Sequence, residues 1–159
     1  MASFSRHSGI YTLKAQQQLP ITMAEAWDFF SSPKNLEKIT PPHMGFRITS
    51  GEPGKMYPGQ IISYKVAALP GIKTNWVTEI THVEDKKFFV DEQRFGPYSM
   101  WHHEHHFEEK EEGIFMTDKI SYKIPFGFLG HVAQMVFVRK QLKTIFEYRR
   151  RALEEKFGK

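Results

Sequence analysis

Four of the chain's eight histidines stand within five residues, at His102, His103, His105 and His106. They occupy a run from Met100 to Glu109, between Trp101 and Phe107. Imidazole ligates transition metals, moves protons near neutral pH and hydrogen-bonds to ligand oxygens. Three chemistries are therefore open: a metal centre, a general base, or a polar contact for a bound molecule. Choosing among them needs the element that carries the cluster and the face each ring occupies.

Period-two alternation marks the run as a strand, so neighbouring side chains point to opposite faces. Trp101, His103, His105 and Phe107 share one face. His102, Glu104, His106 and Glu108 share the other. The aromatic set belongs inside and the carboxylate set outside. His102 and His106 are thus expected in water, with cross-strand carboxylates as neighbours. His103 and His105 are expected on the inner wall. On the adjoining strands the same parity groups Phe89, Asp91 and Gln93, and separately Met116, Asp118, Ile120 and Tyr122. A buried carboxylate needs a partner. The two inward histidines, Arg139 and Arg149 are the candidates.

The elements that position these groups follow from the rest of the pattern. Residues 9–18 alternate weakly and predict a first strand. Thr22 and Glu25 form a capping box for a helix whose apolar stripe is Ala24, Trp27 and Phe30. Ser32 and Pro33 start a second short helix, stopped by Pro41 and Pro42. A short β segment, 46–50, follows. Strands are then predicted over 60–67, 73–83, 87–94, 98–109 and 114–124, with turns at Leu69-Pro70-Gly71, 84–86, Gly96-Pro97 and 111–113. A last helix runs from about 130 to 156, with Met135, Arg139, Leu142, Phe146, Leu153 and Phe157 on one side. The fold class is α+β: a curved antiparallel sheet wrapped around a long C-terminal helix, with two short helices after the first strand. A gap between helix and sheet can hold a ligand.

Composition excludes several functions. There is no cysteine among the 159 residues, which rules out disulfides, thiolate metal sites and a cysteine nucleophile. No signal-like or membrane-spanning apolar run is present, so a cytoplasmic location is expected. The net charge of +4 lies mostly in the last thirty residues, including Arg149, Arg150 and Arg151. It is modest for a nucleic-acid binder, no nucleic-acid motif accompanies it, and none is expected as a partner. Phosphate-binding glycine motifs and serine-nucleophile motifs are absent.

The run from Trp27 to Leu36 with Thr40, Pro41 and Pro42 resembles a known superfamily. So do Phe89 to Gln93 with Gly96 to Tyr98, and the Trp101, His103, His105, Phe107 pattern. Asp118, Ile120, Tyr122 and Pro125 with Gly127, then Val138 and Ile145 to Arg149, complete the likeness. Together they resemble the START/Bet v 1-like (SRPBCC) superfamily, in the bacterial ligand-binding branch near the polyketide cyclase/dehydrase and lipid-transport proteins. The resemblance spans nearly the whole chain. It implies one helix-grip domain over residues 1–159 and a small hydrophobic ligand. Carriers, receptors and cyclases share that fold, so it implies no single chemistry.

The spacing of His103, His105 and Glu109 is similar to the first cupin metal motif. The second motif fails, because His131 falls one position late after Pro125 and Gly127. No metal and no cofactor are expected. The leading expectation is a carrier or sensor binding a lipid, polyketide or isoprenoid-like molecule. Its candidate ligand contacts are Trp76, Asp91, Gln93, Trp101, His103, His105 and Phe107 on the sheet, with Asp118 and Tyr122. The helix adds Met135, Arg139, Leu142 and Phe146. Tyr64 is a further pocket candidate, and the loop Phe126–Gly130 is either a gate or a tight strand–helix joint. One alternative is a cyclase or dehydratase with His103 or His105 as general base, an aspartate orienting it and Tyr122 holding an oxyanion. Another is an interaction module using the basic helix end. A monomer or weak dimer is expected.

Overall fold

A computed structural model describes residues 2–69 and 71–159. Eight antiparallel strands form one sheet in the order β1-β2-β8-β7-β6-β5-β4-β3. Strands β1 (Ser3–His7) and β2 (Ile10–Leu19) form a hairpin. Only its second strand is visible in the sequence pattern, because β1 is almost wholly exposed and carries no apolar alternation. The remaining strands are β3 (Arg47–Ile48), β4 (Gln60–Leu69), β5 (Ile72–Glu84), β6 (Phe88–Phe95), β7 (Met100–Lys110) and β8 (Gly113–Lys123). β3 to β8 form a meander, and β8 returns to pair with β2. Bulges in the β4–β5 and β5–β6 pairings bend the sheet. The turn expected at Leu69-Pro70-Gly71 includes Pro70, which lies outside the described residues.

Helix α1 (Met23–Phe30) starts at the Thr22–Glu25 capping box, with both reciprocal bonds made. Its buried face is Ala26, Phe29 and Phe30 rather than Ala24, Trp27 and Phe30. Ala24 is exposed. Trp27 packs edge-on to Phe89 and Phe107, at the side of the helix. Pro33–Ile39 is a 3₁₀ helix. These elements close one end of the sheet around Leu19, Phe107, Ile114, Met116 and Leu153.

The C-terminal helix begins at Gly127, three residues before the predicted start. It comprises α2 (Gly127–Ala133), a π-helical turn over Gln134–Val138, and α3 (Arg139–Phe157). The inward line is Gln134, Val138, Leu142, Phe146, Arg149 and Leu153. Its first steps are four residues each, longer than the 3.6 of an α-helix. The π turn, with i→i+5 bonding, absorbs that excess. The expected stripe assumed unbroken α periodicity, and so placed Met135 and Arg139 inside. Both are exposed.

Phe126 and Gly127 both adopt left-handed backbone before this helix, at φ 72° and 51°. A Cβ at Gly130 would stand 2.1 Å from the Pro125 carbonyl oxygen. The loop is therefore a tight strand–helix joint that only glycine permits at 130. The architecture is the helix-grip fold: a curved sheet holding a long C-terminal helix.

Candidate functional site

Between α3 and the sheet lies a cavity of about 190 Å³. Its walls are mostly apolar, with Phe46, Ile62, Trp76, Trp101, Leu142 and Phe146 among them. Asp91, His103, His105 and Arg149 form one polar corner.

Register assembles that corner. Asp91 on β6 lies opposite His103 on β7, and His105 lies opposite Asp118 on β8. All four point inward, as strand parity requires. His103 is 7% exposed and His105 3%. His105 Nε2 is 2.8 Å from Asp91 Oδ2. His103 Nε2 is 3.0 Å from Asp118 Oδ1. His105 Nδ1 is also 3.0 Å from that oxygen, but off the line of a hydrogen bond and without a partner. Arg149, one turn beyond Phe146 on α3, brings Nη1 to 3.4 Å from Asp118 Oδ1. The two imidazoles lie face to face, centroids 3.7 Å apart, and Phe89 stacks on the outer face of His105 at 4.1 Å.

This packing sets the charges. Burial works against ionising either carboxylate. At Asp118 the Arg149 charge and both histidines outweigh burial and hold it well below the usual carboxylate range. At Asp91 the His105 contact leads the same reversal, and its pKa is lowered too. Burial also opposes a charged imidazole. At His103 burial, reinforced by His105, prevails over the aspartates, and the pKa falls. At His105 contacts with Asp118 and Asp91 outweigh burial, and the pKa rises. The corner therefore sets two carboxylates and Arg149 around the two rings, with His105 drawn toward its charged form and His103 toward its neutral one.

The outer histidines lie on the opposite face as expected but are half-buried, and only His102 takes a cross-strand carboxylate, since Glu104 is on the same strand as His106. His102 Nδ1 is 2.6 Å from Glu92, and His106 Nε2 is 2.9 Å from Glu104.

Seven of the expected contacts line the cavity: Trp76, Asp91, Trp101, His103, His105, Leu142 and Phe146. Six do not. Asp118 lies behind the histidines and supports them. Gln93 clamps the backbone of Tyr98, donating to its carbonyl at 2.6 Å and accepting from its N–H at 3.1 Å. Phe107 belongs to the end core around α1. Tyr122 is fully buried against Leu13 and Ile120, and its hydroxyl accepts from Gln134 at 2.7 Å. Burial pushes that phenol up to about 12. It is not placed to hold an oxyanion in the cavity. Met135 and Arg139 are on the outer face of the helix, and Arg139 lies over Phe4. No residue of the Phe126–Gly130 loop lines the cavity, so the loop does not gate it.

Several lining residues escaped the sequence reading. Thr78 and Ile80 share the face of Trp76, which parity could have supplied. Met44, Phe46 and Ile48 come from a stretch with too little β pattern to orient, and Tyr98 from a turn. Tyr64 does line the cavity, and burial together with the Asp91 charge pushes its hydroxyl well above the ordinary phenol range.

Asp91, His103 and His105 are also the residues that could hold a metal, with one candidate ligand atom from each lying within 4.8 Å of the others. The carboxylate of that set is Asp91, not Glu109, which is exposed beside the β7–β8 turn.

A family model described as polyketide cyclase/dehydrase and lipid transport matches residues 19–146. The chain belongs to this family. Several solved structures share the fold at low sequence identity. Protein Ms6760 of Mycobacterium smegmatis superposes with a TM-score of 0.68 at 16% identity, covering 98% of this chain and 99% of that one. TTHA0849 of Thermus thermophilus gives 0.65 at 18%, covering 92% and 96%. Ara h 8.0201 gives 0.58 at 13%, covering 92% and 99%. At these identities the likeness shows the fold, and the family match places the chain in the START/Bet v 1-like (SRPBCC) superfamily. No curated protein matches the chain. Among the described residues no helix is long and apolar enough to cross a membrane.

Proposed function

We propose that the chain binds a compact amphipathic molecule, with its apolar body in the cavity and one oxygen-bearing group at the Asp91–His103–His105 corner. One observation carries this reading: a mostly apolar cavity into whose wall the Asp91, His103, His105 and Arg149 cluster is set. Two buried donors on lining residues, Trp76 Nε1 and Arg149 Nε, have no hydrogen-bond partner among the described residues. Unpaired buried donors are costly unless something accepts from them.

Size narrows the ligand. The cavity is somewhat larger than the ~150 Å³ site that admits benzene. It is smaller than the roughly 300–1,000 Å³ of sites for drug-sized ligands. A molecule of one or two rings, or a short isoprenoid or polyketide fragment, fits better than a whole diacyl lipid. Carriage or sensing suits the family description, and a cytoplasmic location suits a chain without cysteine.

Native mass spectrometry of freshly purified protein, with elemental analysis, tests the proposal. The expected result is a bound organic compound that is lost in Ala68→Phe, a substitution that fills the cavity. Protein that carries no compound and binds no small aromatic alcohol or acid overturns it. Stoichiometric metal without an organic ligand would instead assign the corner to the Asp91, His103, His105 set.

A second reading is catalytic. His103 faces the cavity, is drawn toward its neutral form by burial, and is oriented by Asp118, which are the attributes of a general base. Tyr64 and Tyr98, which line the cavity, are then the phenols available to a developing oxyanion, and Tyr122 is not. A recovered ligand that stays chemically unchanged on wild type and on His103→Gln alike sinks this reading.

A further inference from the structure

The strongest feature outside the cavity is the outer face of the helix start. Phe126, Phe128 and Leu129 are 81%, 77% and 72% exposed, and Met135, Val136 and Phe137 are each more than half exposed. The inner face of the same segment, Gly130, Gln134 and Val138, is buried. Monomeric proteins rarely leave so many large apolar side chains together in water.

Charge identifies what covers them. From Lys119 to Phe146 there is no aspartate or glutamate. The same stretch carries Lys119, Lys123, Arg139, Lys140 and Lys143. Lys119 is paired with Glu104 and Lys143 lies 3.8 Å from Glu147. Lys123, Arg139 and Lys140 bracket the apolar face without a carboxylate partner among the described residues. A second copy docked face to face would bring these cations against their own images, which costs energy. An anionic lipid surface satisfies both halves of the pattern, apolar side chains entering the headgroup boundary and cations meeting phosphates.

We propose that this face docks peripherally on anionic membranes, with Phe126, Phe128, Leu129 and Phe137 inserted and Lys123, Arg139 and Lys140 at the headgroups. The basic surface expected at Arg149–Arg151 is not the one used. Arg149 is buried on Asp118, and Arg150 is paired with Glu154 at 2.9 Å. The docking proposal does not depend on the cavity: Ala68→Phe should leave it intact while abolishing ligand.

Co-sedimentation of the full chain with vesicles provides the test. Binding is expected to vesicles of phosphatidylcholine and phosphatidylglycerol in equal parts, weakly to phosphatidylcholine alone, and to fall as salt shortens the screening length. Each cation near an anionic surface is worth about fivefold. Lys123→Gln with Lys140→Gln should therefore weaken binding about twenty- to thirtyfold. Phe128→Ser with Phe137→Ser should abolish it at an unchanged melting temperature, since both side chains are exposed. Absence of binding to the anionic vesicles overturns the proposal. So does binding that survives the two serine substitutions. A concentration-dependent dimer that dissociates in the serine variant overturns it too, and assigns the face to a second copy.

Discussion

Arg149 shows how much one side chain can decide. It brings a guanidinium to the polar corner, and it faces Asp118 with both side chains nearly excluded from water. Arg149→Met should cost about 3–5 kcal/mol, because it leaves a buried carboxylate without its fixed counter-charge. Urea denaturation gives the value, and a loss below about 1 kcal/mol would mean the histidines alone neutralise Asp118. The histidines make a prediction about pH. His105 has a folded pKa above its unfolded value, so its contribution is complete below about 6.5 and fades as pH rises through the folded value. His103 has a folded pKa below it, so its contribution is complete above about 6.5 and fades as pH falls. The two slopes oppose in the wild type. His103→Gln should give a protein that loses stability on the alkaline side of 6.5, and His105→Gln one that loses it on the acid side. Urea midpoints across a pH series would show this, and parallel slopes in the two variants would refute the opposite shifts of the two imidazoles. Parity alone placed these rings inside. It could not choose Arg149 over Arg139, since that choice depends on helix phase.

At the level of elements, the legible parts of the sequence were those with a clean period. The strands that carry the site came out within a few residues, and the capping box marked α1. What stayed hidden had a physical cause in each case. β1 is exposed on nearly every residue, so no alternation betrays it. The wall supplied by Met44, Phe46 and Ile48 has almost no regular structure to set direction. Met135 and Arg139 were misplaced because a π turn interrupts the α period before α3. Gly130 is the test of the joint between β8 and this helix. Gly130→Ala should destabilise the chain by about 1–3 kcal/mol through its clash with the Pro125 carbonyl. A neutral outcome in thermal unfolding would mean the joint yields easily.

Across the whole molecule the sheet and helix enclose a cavity beside their packed core, and stability should respond to whatever occupies it. A ligand present at about a hundred times its Kd adds about 2.7 kcal/mol. A matching rise in unfolding temperature is expected for wild type and none for Ala68→Phe. Equal rises in both would place the ligand elsewhere, with the exposed helix start as the alternative seat. The fold, the inward histidines and their aspartates were readable from one sequence. The small volume of the cavity was not, because it depends on how residues far apart in the chain fill a shared space.

The π turn over Gln134–Val138 has one more consequence. It fixes the rotational phase between α2 and α3. Successive residues of an α-helix are turned by about 100°. Deleting a single residue from the turn, with α3 held by Leu142, Phe146 and Leu153, would swing α2 through about that angle and draw it along its axis. Phe128 and Leu129 would then leave their outward aim. One residue of chain length thus determines whether this protein shows a greasy face to its surroundings, so an insertion or deletion here would alter its associations while leaving the grip on α3 in place.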